Sequence, residues 1–361
     1  MGGQNGTPIF NSNVNWATAY PKHANIWNPK FLADLKGFSV FRHMDTNAVN
    51  WSQIKCWSER TLPRDPQNAS VYIDSSSAPS TAGLALEWQI DLCNRANVDC
   101  WFTHPYLADN NYIRQQAKLI KRKLKPGLRV YIELSNEVWN DSYAAYHQAI
   151  AEGLANGLPG DDRWAKGIAH EMYRALEMYQ IYQEVFGASK MGKRVIRVFS
   201  ESGDLDLTTQ ALENVYKSSK WNRRHQKIDM MAVAPYIGVG VDGSYENFAR
   251  WKGEVDQRVG GDPVTVALAQ NKTFGIPRLG CYEAGMGHSK HANVWSSNPE
   301  IYDAYTYMLD SFATKMNGPC ALYTLHGKWE ATGAWGLYSA VGQPLTASPK
   351  ARAVKDWISA H

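Results

Sequence analysis

Short apolar runs alternate with longer amphipathic segments along most of the chain. The runs have the length of buried strands, and the amphipathic segments repeat apolar residues with helical spacing. The predicted strands are FSVFRHM (38–44), VDCWFTHP (98–105), LRVYIELS (128–135), RVIRVFS (194–200), IDMMAVAPY (228–236), PRLGCYEAG (277–285) and CALYTLHG (320–327). A weaker eighth run, TPIFNS, lies near residue 10.

Helical patterns fill the intervals between the strands. They cover residues 85–96, 112–124, 164–187, 207–219, 244–260 and 300–316. Strands that alternate with helices predict a parallel sheet with helical crossovers. Seven or eight such repeats over 361 residues favour a closed (β/α)8 TIM barrel over an open α/β sheet. No linker or change of composition divides the chain, so we expect one domain over residues 1–361, with residues 1–30 poorly assigned.

Each apolar run finishes on a polar or ionisable residue, or on one that carries a hydroxyl or indole. In a parallel barrel the carboxyl ends of all strands lie on one face, which is where such barrels bind substrate. A polar pocket above a packed core is therefore predicted. The residues at these ends are Arg42, Asp45, His104, Asn136, Glu137, Ser200, Glu201, Tyr236, Glu283, His326 and Trp329.

Two of the carboxylates in this set, Glu137 and Glu283, are expected on opposite sides of the predicted barrel mouth. With the run near residue 10 counted first, Glu137 follows the fourth strand and Glu283 ends the seventh. Glycoside hydrolysis requires such a pair, one protonated and one ionised, on either side of the scissile bond. A separation of roughly 5 Å gives retention of configuration, and roughly 6.5–9.5 Å gives inversion. Either residue alone would be read as a solvated rim glutamate.

The neighbours of the two carboxylates suggest a division of labour. Asn136 is expected to hydrogen-bond the sugar hydroxyl next to the reacting carbon. Tyr236 is expected to hold Glu283, and Arg42 to lower the pKa of Glu283 by its positive charge. Glu137 has fewer cations nearby, so we expect its pKa to be raised and its proton retained.

On these motifs the chain resembles the clan A glycoside hydrolases from roughly residue 30 to 345. This resemblance implies a retaining (β/α)8 O-glycosyl hydrolase, with Glu137 as acid/base and Glu283 as nucleophile of a double displacement. The matching segments are SNEVWN (135–140), CYEAG (281–285), VFRHMD (40–45), THPYLADNNYI (103–113), APY (234–236) and WEATGAWG (329–336).

Further residues near the strand ends are candidates for substrate contact. The histidines could contact substrate or act only as hydrogen-bonding rim residues. Trp329 and Trp335 could stack on sugar rings or pack on the barrel rim, and Trp139 could line the cleft or plug the barrel top. They are His104, His288, Trp139, Trp329 and Trp335. Two acids are assigned supporting positions: Glu133 buried and paired inside the barrel without a direct role, and Asp45 orienting Arg42.

Composition changes this picture little. The 14 Trp and 19 Tyr suit a groove that binds sugar faces, or a large aromatic core. A net charge of +4 without a long basic block argues against nucleic acid as a partner. No apolar run is long enough to span a membrane, and residues 1–20 lack a signal-peptide core. We expect a secreted or periplasmic monomer whose signal peptide is not visible in this sequence.

The five cysteines have neither CxxC spacing nor zinc-type His neighbours, so no metal and no cofactor are expected. Cys93 and Cys100 either form a disulfide or remain buried thiols.

The leading functional hypothesis is an endo-acting hydrolase of a β-linked polysaccharide: β-glucan first, then mannan or xylan. The alternatives are a non-catalytic carbohydrate-binding barrel and a polysaccharide lyase on a similar barrel.

Overall fold

A computed structural model describes residues 26–65, 67, 83–201, 203–238 and 247–361. The described strands are β1 (Val40–His43), β2 (Asp99–His104), β3 (Val130–Leu134), β4 (Val195–Ser200), β5 (Met230–Val233), β6 (Tyr236–Ile237), β7 (Leu279–Met286) and β8 (Cys320–Leu322). The described α-helices are α1 (Pro29–Leu35), α2 (Leu86–Ala96), α3 (Asn110–Lys123), α4 (Ala144–Ala155), α5 (Arg163–Phe186), α6 (Leu205–Ala211), α7 (Phe248–Gly260), α8 (Val264–Phe274), α9 (Ala292–Ser297), α10 (Ile301–Lys315) and α11 (Pro349–Ala360).

The strands form one parallel sheet in the order β1-β2-β3-β4-β5-β7, and both β6 and β8 pair with β7. The sheet curls so that its end strands β1 and β8 come close to each other. Helices connect the strands, as parallel pairing requires. The predicted α/β barrel class is confirmed. The weak strand predicted near residue 10 lies outside the described residues.

Two local differences from the sequence prediction have simple causes. The run 228–236 forms two strands, because Pro235 lies between them and cannot donate a ladder hydrogen bond. Helix α4 was not predicted, since the residues it buries are small and give no broad apolar stripe. One of them, Gly153, lies so close to α5 that a Cβ atom there would come within 2.2 Å of the Lys166 carbonyl oxygen.

Two caps show how the polar residues between these elements start the next helix. The Asp109 carboxylate accepts a hydrogen bond from the Tyr112 backbone N–H (2.6 Å), and Asp162 accepts one from Ala165 N–H (2.8 Å). Each bond satisfies an amide that a helix N-terminus leaves unpaired. None of the helices in the described ranges combines the length and the apolar character that a membrane span requires.

The barrel interior is a small, separate core made of alternate residues on the strands. Its buried members are Trp101, Tyr131, Ile196, Val198, Met230, Ala232 and Tyr282. The intervening residues face the helices and form the larger core, as the period of two along a strand requires. The next interior positions toward the mouth are polar: Glu133 follows Tyr131, and Ser200 follows Val198. The interior thus changes from apolar to polar toward the carboxyl ends of the strands.

A disulfide joins Cys93 on α2 to Cys100 on β2, which settles the alternatives for these two residues. The other cysteines, Cys56, Cys281 and Cys320, are free thiols.

A buried ion pair beside β4 and β5 tests how strongly the sheet depends on charge pairing. Arg197 donates to Asp229 through Nε (2.7 Å) and Nη2 (2.8 Å), and both side chains are buried. We expect Asp229→Asn to lower the free energy of unfolding by about 3–5 kcal/mol, because Arg197 stays buried without its counter-charge. Guanidinium denaturation followed by circular dichroism measures this. Glu330→Gln, which breaks an exposed pair with Lys328, is the control; similar losses in both variants would contradict the expectation.

Candidate active site

The chain turns sharply where β3 ends. Ser135 and Glu137 have backbone φ angles of +58° and +41°, in the left-handed region that non-glycine residues rarely occupy. Asn136, between them, is buried. Such backbone strain persists only where surrounding contacts enforce it, and it concentrates at functional sites. Here it stops the strand and leaves Asn136 and Glu137 at the barrel mouth.

A second irregularity orients Glu283. The pairing of β7 with β8 shifts register between Cys281 and Ala284, as in a β-bulge. Bulges interrupt the alternation of side chains and can re-aim one of them. Two consecutive residues consequently approach the same guanidinium. Arg42 Cζ lies 5.3 Å from the centre of the Tyr282 ring, and Arg42 Nη1 donates to Glu283 Oε1 at 2.9 Å.

Arg42 connects the two irregular strand ends. Its Nη2 donates to Asn136 Oδ1 (2.7 Å) and to Glu133 Oε1 (2.9 Å), and its Nε donates to Glu133 Oε2 (2.9 Å). The Arg42 Cζ atom lies 5.6 Å from the centre of the Trp101 ring and 5.3 Å from the centre of the Tyr282 ring, and only 4% of the Arg42 side chain is exposed. All three of its nitrogens are therefore engaged within the site.

The two candidate catalytic carboxyls have different partners. Glu283 accepts from Arg42 and, through Oε2, from the Tyr236 hydroxyl at 2.7 Å. Glu137 accepts from Asn140 Nδ2 at 2.9 Å. Burial raises the pKa of Glu137 to about 7, and the negative charge of Glu283 adds to this rise. Burial also raises the pKa of Glu283, but Arg42 and Tyr236 act in the opposite direction. The site thus favours the proton on Glu137 and the charge on Glu283.

Asp45 does not orient Arg42, contrary to the sequence expectation. Its carboxylate accepts from the Tyr323 hydroxyl at 3.3 Å, and burial together with the charge of Glu283 raises the pKa of Asp45 to about 7. The acid that orients Arg42 is Glu133, which accepts two of its hydrogen bonds. Asp45 instead adds a third ionisable carboxyl to the mouth.

His104 does not face the mouth, so its predicted contact with substrate is wrong. Trp101 points into the barrel, and strand alternation therefore turns His104 toward the helices. Its Nδ1 bonds the Glu133 backbone oxygen (2.9 Å) and its Nε2 bonds the Tyr182 hydroxyl on α5 (2.8 Å). The ring is fully buried, which lowers its pKa to about 4.

Two of the predicted rim residues lie together near β8. The Trp335 ring packs edge-on against His288 (centroids 4.9 Å apart) and against Tyr323 (6.5 Å). His288 is exposed, and its Nδ1 lies 3.2 Å from the Thr332 carbonyl oxygen. Since Tyr323 bonds Asp45, this aromatic group reaches the nucleophile side of the mouth.

The other two predicted tryptophans also contact the surrounding protein. Trp329 Nε1 donates to the Gly336 carbonyl oxygen (2.7 Å), and Lys350 Nζ lies 4.9 Å from the centre of the ring. These contacts match the rim-packing alternative for Trp329. Trp139 is half-buried, and its ring passes so close to Gly203 that a Cβ atom there would approach it to 2.9 Å.

Four residues of the site were missed or undervalued by sequence reasoning. Trp101 Nε1 donates to Glu133 (2.7 Å), and the Ser200 hydroxyl donates to the same carboxylate. Strand alternation could have placed both beside Glu133. Asn50 accepts from Asn136 Nδ2 (3.0 Å) and lies in a short 3-10 helix (Val49–Trp51), for which the sequence carries no signal. Tyr323 follows β8 directly, so its position at a strand end could have singled it out.

A cavity of about 730 Å³ reaches the nucleophile side of the site, and Glu137 is not among the residues that line it. Its polar end is lined by Arg42, Asp45, Glu283 and Tyr323, while apolar residues of α1, α10, α11, β1 and β8 line the remainder. Among the described residues, the one group with metal-ligand geometry is His43 with Cys93 and Cys100, and these cysteines form the disulfide. That group lies outside the mouth, against α2.

No protein-family model matches the sequence, and no curated protein sequence matches it either. Among solved structures, the chain is similar to a GH51 arabinofuranosidase from Xanthomonas axonopodis pv. citri, with a TM-score of 0.51 at 12% identity. The alignment covers 90% of this chain and 63% of that one, so this chain spans less than two thirds of that protein's length.

Two further alignments are weaker. A monomeric β-xylosidase from Caulobacter crescentus CB15 aligns with a TM-score of 0.47 at 11% identity, over 91% of this chain and 64% of that one. A family 1 β-glucosidase from Thermotoga maritima aligns with a TM-score of 0.45 at 11% identity, over 91% of this chain and 85% of that one. The arabinofuranosidase alignment supports the barrel fold alone.

The raised pKa of Glu137 has a consequence for stability. Its usual value is 4.5 and its folded value about 7, so the protonated carboxyl favours folding at low pH and the advantage disappears as pH rises through about 7. We expect Glu137→Gln to raise the free energy of unfolding by about 2–3 kcal/mol near pH 8 and to leave it unchanged near pH 4. Denaturation curves at both pH values measure this. A gain that is equal at both values would contradict the assignment, and Glu330→Gln is the exposed control.

Proposed function

We propose that the chain is a retaining glycoside hydrolase in which Glu137 is the acid/base and Glu283 the nucleophile. The observation that carries this proposal is the contrast between the two carboxyls. Glu283 is paired with a cation and a tyrosine hydroxyl, whereas Glu137 is buried with an amide donor and has its pKa raised to about 7. A pair of carboxyls with opposed protonation is the requirement of glycosidic bond cleavage.

In the first step a Glu283 oxygen attacks the anomeric carbon while the bond from that carbon to the leaving oxygen breaks. Glu137 gives its proton to the leaving oxygen, so no alkoxide is released. In the second step Glu137, now a carboxylate, takes a proton from water. The water oxygen attacks the anomeric carbon and displaces Glu283, which restores both residues and the original anomeric configuration.

The other residues of the site orient and tune these two groups. Arg42 and Tyr236 stabilise the ionised form of Glu283 before attack. The Asn136 amide is held at both ends. Its Oδ1 accepts a hydrogen bond from Arg42, and its Nδ2 donates one to Asn50 Oδ1. The second proton of its Nδ2 group is suited to the sugar hydroxyl beside the reacting carbon. Such pre-oriented groups lose little entropy when substrate binds.

The charges at the mouth support a neutral substrate. Asp45, Glu137 and Glu283 are carboxyls, and every nitrogen of Arg42 already has a protein partner. A uronic acid would meet the negative charge of Glu283 without a free guanidinium to neutralise it. This disfavours the lyase alternative, which requires an acidic sugar. A non-catalytic binding barrel would gain nothing from burying carboxyls, since ionisable groups are costly in such a site.

The proposed substrate is a β-linked polysaccharide cut internally, with β-glucan first and mannan or xylan next. Aromatic residues on both sides of the mouth support an extended groove: Trp335 and His288 on the nucleophile side, and Trp139 beside the acid/base. We also propose export to an oxidising compartment, supported by the Cys93–Cys100 disulfide.

Activity on a polymer panel tests the catalytic assignment. We expect the wild type to release reducing ends from one of β-glucan, mannan or xylan, and not from polygalacturonan. Glu137→Gln and Glu283→Gln should each lower the rate by about 10³-fold or more, because each removes the chemistry and keeps the shape. Glu330→Gln is the matched control on an exposed glutamate and should keep full activity. Variants as active as the wild type would overturn the proposal.

The products test the stereochemistry and the mode of cleavage. Proton NMR during the first minutes of hydrolysis should show β-anomers, because double displacement retains configuration. Size analysis at early times should show oligosaccharides of mixed length, because an extended groove accepts internal bonds. Release of α-anomers would contradict retention. Release of monosaccharide alone would contradict endo action.

A further inference from the structure

Glu133 is an acid buried inside the barrel below the two catalytic candidates. It is 1% exposed, and its carboxylate accepts from donors on three strands. Arg42 on β1 donates through Nε and Nη2, Trp101 on β2 donates through Nε1 (2.7 Å), and Ser200 on β4 donates through its hydroxyl. A buried carboxylate with four donors is fully satisfied and rigidly held.

The geometry of these bonds decides how Arg42 meets the nucleophile. A guanidinium is a planar fork that pairs with a carboxylate through two parallel hydrogen bonds. Glu133 occupies one such edge, formed by Nε and Nη2. Nη1 remains for Glu283, and the second Nη2 proton remains for Asn136. Glu283 is therefore in contact with the cation through a single nitrogen.

We propose that Glu133 is a positioning residue for the reaction: by holding one edge of Arg42, it limits the cation to a single hydrogen bond with Glu283. This inference rests on the proposed function of Glu283 as nucleophile. Without Glu133, the fork is free to turn and pair through two nitrogens with Glu283. A carboxylate that accepts two hydrogen bonds from one guanidinium is a weaker nucleophile, since its charge is more completely neutralised.

The same residue acts on the charges of the site. Its negative charge raises the pKa of Glu137 and of Glu283, in addition to the effect of burial. Glu171 and Tyr179 on α5 also interact with Glu133 electrostatically, and burial raises the pKa of both groups well above their usual values. Arg42 is the cation that faces Glu133 from β1, and Ser200 from β4 carries no charge.

A purely structural role would be different. Glu133 links β1, β2 and β4, so its loss could simply destabilise the barrel. The buried pair Arg197–Asp229 has the same chemistry, an arginine bonded through two nitrogens to a carboxylate, away from the mouth. Asp229→Asn therefore serves as the matched control: it removes a buried carboxylate from an arginine without touching the catalytic network.

The kinetic experiment compares the wild type, Glu133→Gln and Asp229→Asn on the polymer that the wild type cuts, at a temperature where all are folded. We expect Glu133→Gln to lower kcat about 10²-fold with little change in KM, because Arg42 is misoriented. Both limbs of its kcat/KM–pH profile should move to lower pH, since a negative charge is removed. Asp229→Asn should keep the wild-type pH profile. An unshifted profile for Glu133→Gln would overturn the proposal.

A readout without activity separates this proposal from the proposed function. NMR titration of glutamates labelled with ¹³C at Cδ should show the Glu137 and Glu283 carboxyls titrating at lower pH in Glu133→Gln. If the titrations move while the wild type cuts no polymer, the positioning of charge stands and the glycosidase proposal fails. If the wild type is active and the titrations do not move, the positioning proposal fails alone.

Ser200→Ala keeps the proposal testable if Glu133→Gln does not fold. It removes one donor to Glu133 and leaves its charge in place. We expect kcat to fall about 3- to 10-fold, as for the loss of one hydrogen bond, without movement of the pH profile. An unchanged kcat would count against a role for the orientation of Glu133.

Discussion

The burial of the Arg42 guanidinium is the constraint on which the rest of the site depends. A buried cation is costly unless its charge is compensated and each of its donors is paired. The partners come from distant parts of the chain: Glu133 lies 91 residues away and Glu283 lies 241 residues away. Their hydrogen bonds to one cation bring the ends of β3 and β7 to the same place as β1. The barrel and the site are therefore stabilised by the same contacts.

That single cation also makes two similar residues different. Glu283 touches it directly, whereas Glu137 lies one residue beyond Asn136, whose amide intervenes. Burial raises the pKa of both carboxyls, but the cation opposes this rise more strongly at Glu283. Glutamates of identical intrinsic chemistry thus acquire the opposed protonation that acid and nucleophile require. The asymmetry comes from position alone, not from residue type.

The site is assembled at two departures from regular structure, the left-handed turn after β3 and the irregular register of β7 with β8. Both disfavour folding locally, and both expose polar side chains that a regular strand would direct elsewhere. The packed interior around Trp101, Tyr131 and Tyr282 lies directly beneath and holds these departures in place. An apolar, closely packed barrel interior below strained polar strand ends is a common way to combine a stable barrel with pre-oriented reactive groups.

Sequence by itself determined the alternation of strands and helices, and with it the barrel class. It also determined that Glu137, Glu283, Arg42 and Tyr236 would lie on one face, because the carboxyl ends of parallel strands share an edge. Tertiary structure decided which of the strand-end residues point inward. His104 faces the helices and bonds Tyr182. Glu133, not Asp45, orients Arg42, and Tyr323 lies at the mouth, where it bonds Asp45. The reason is physical: a strand's direction follows from local pattern, but the facing of a side chain depends on register, bulges and turns. Those are set by neighbours remote in sequence.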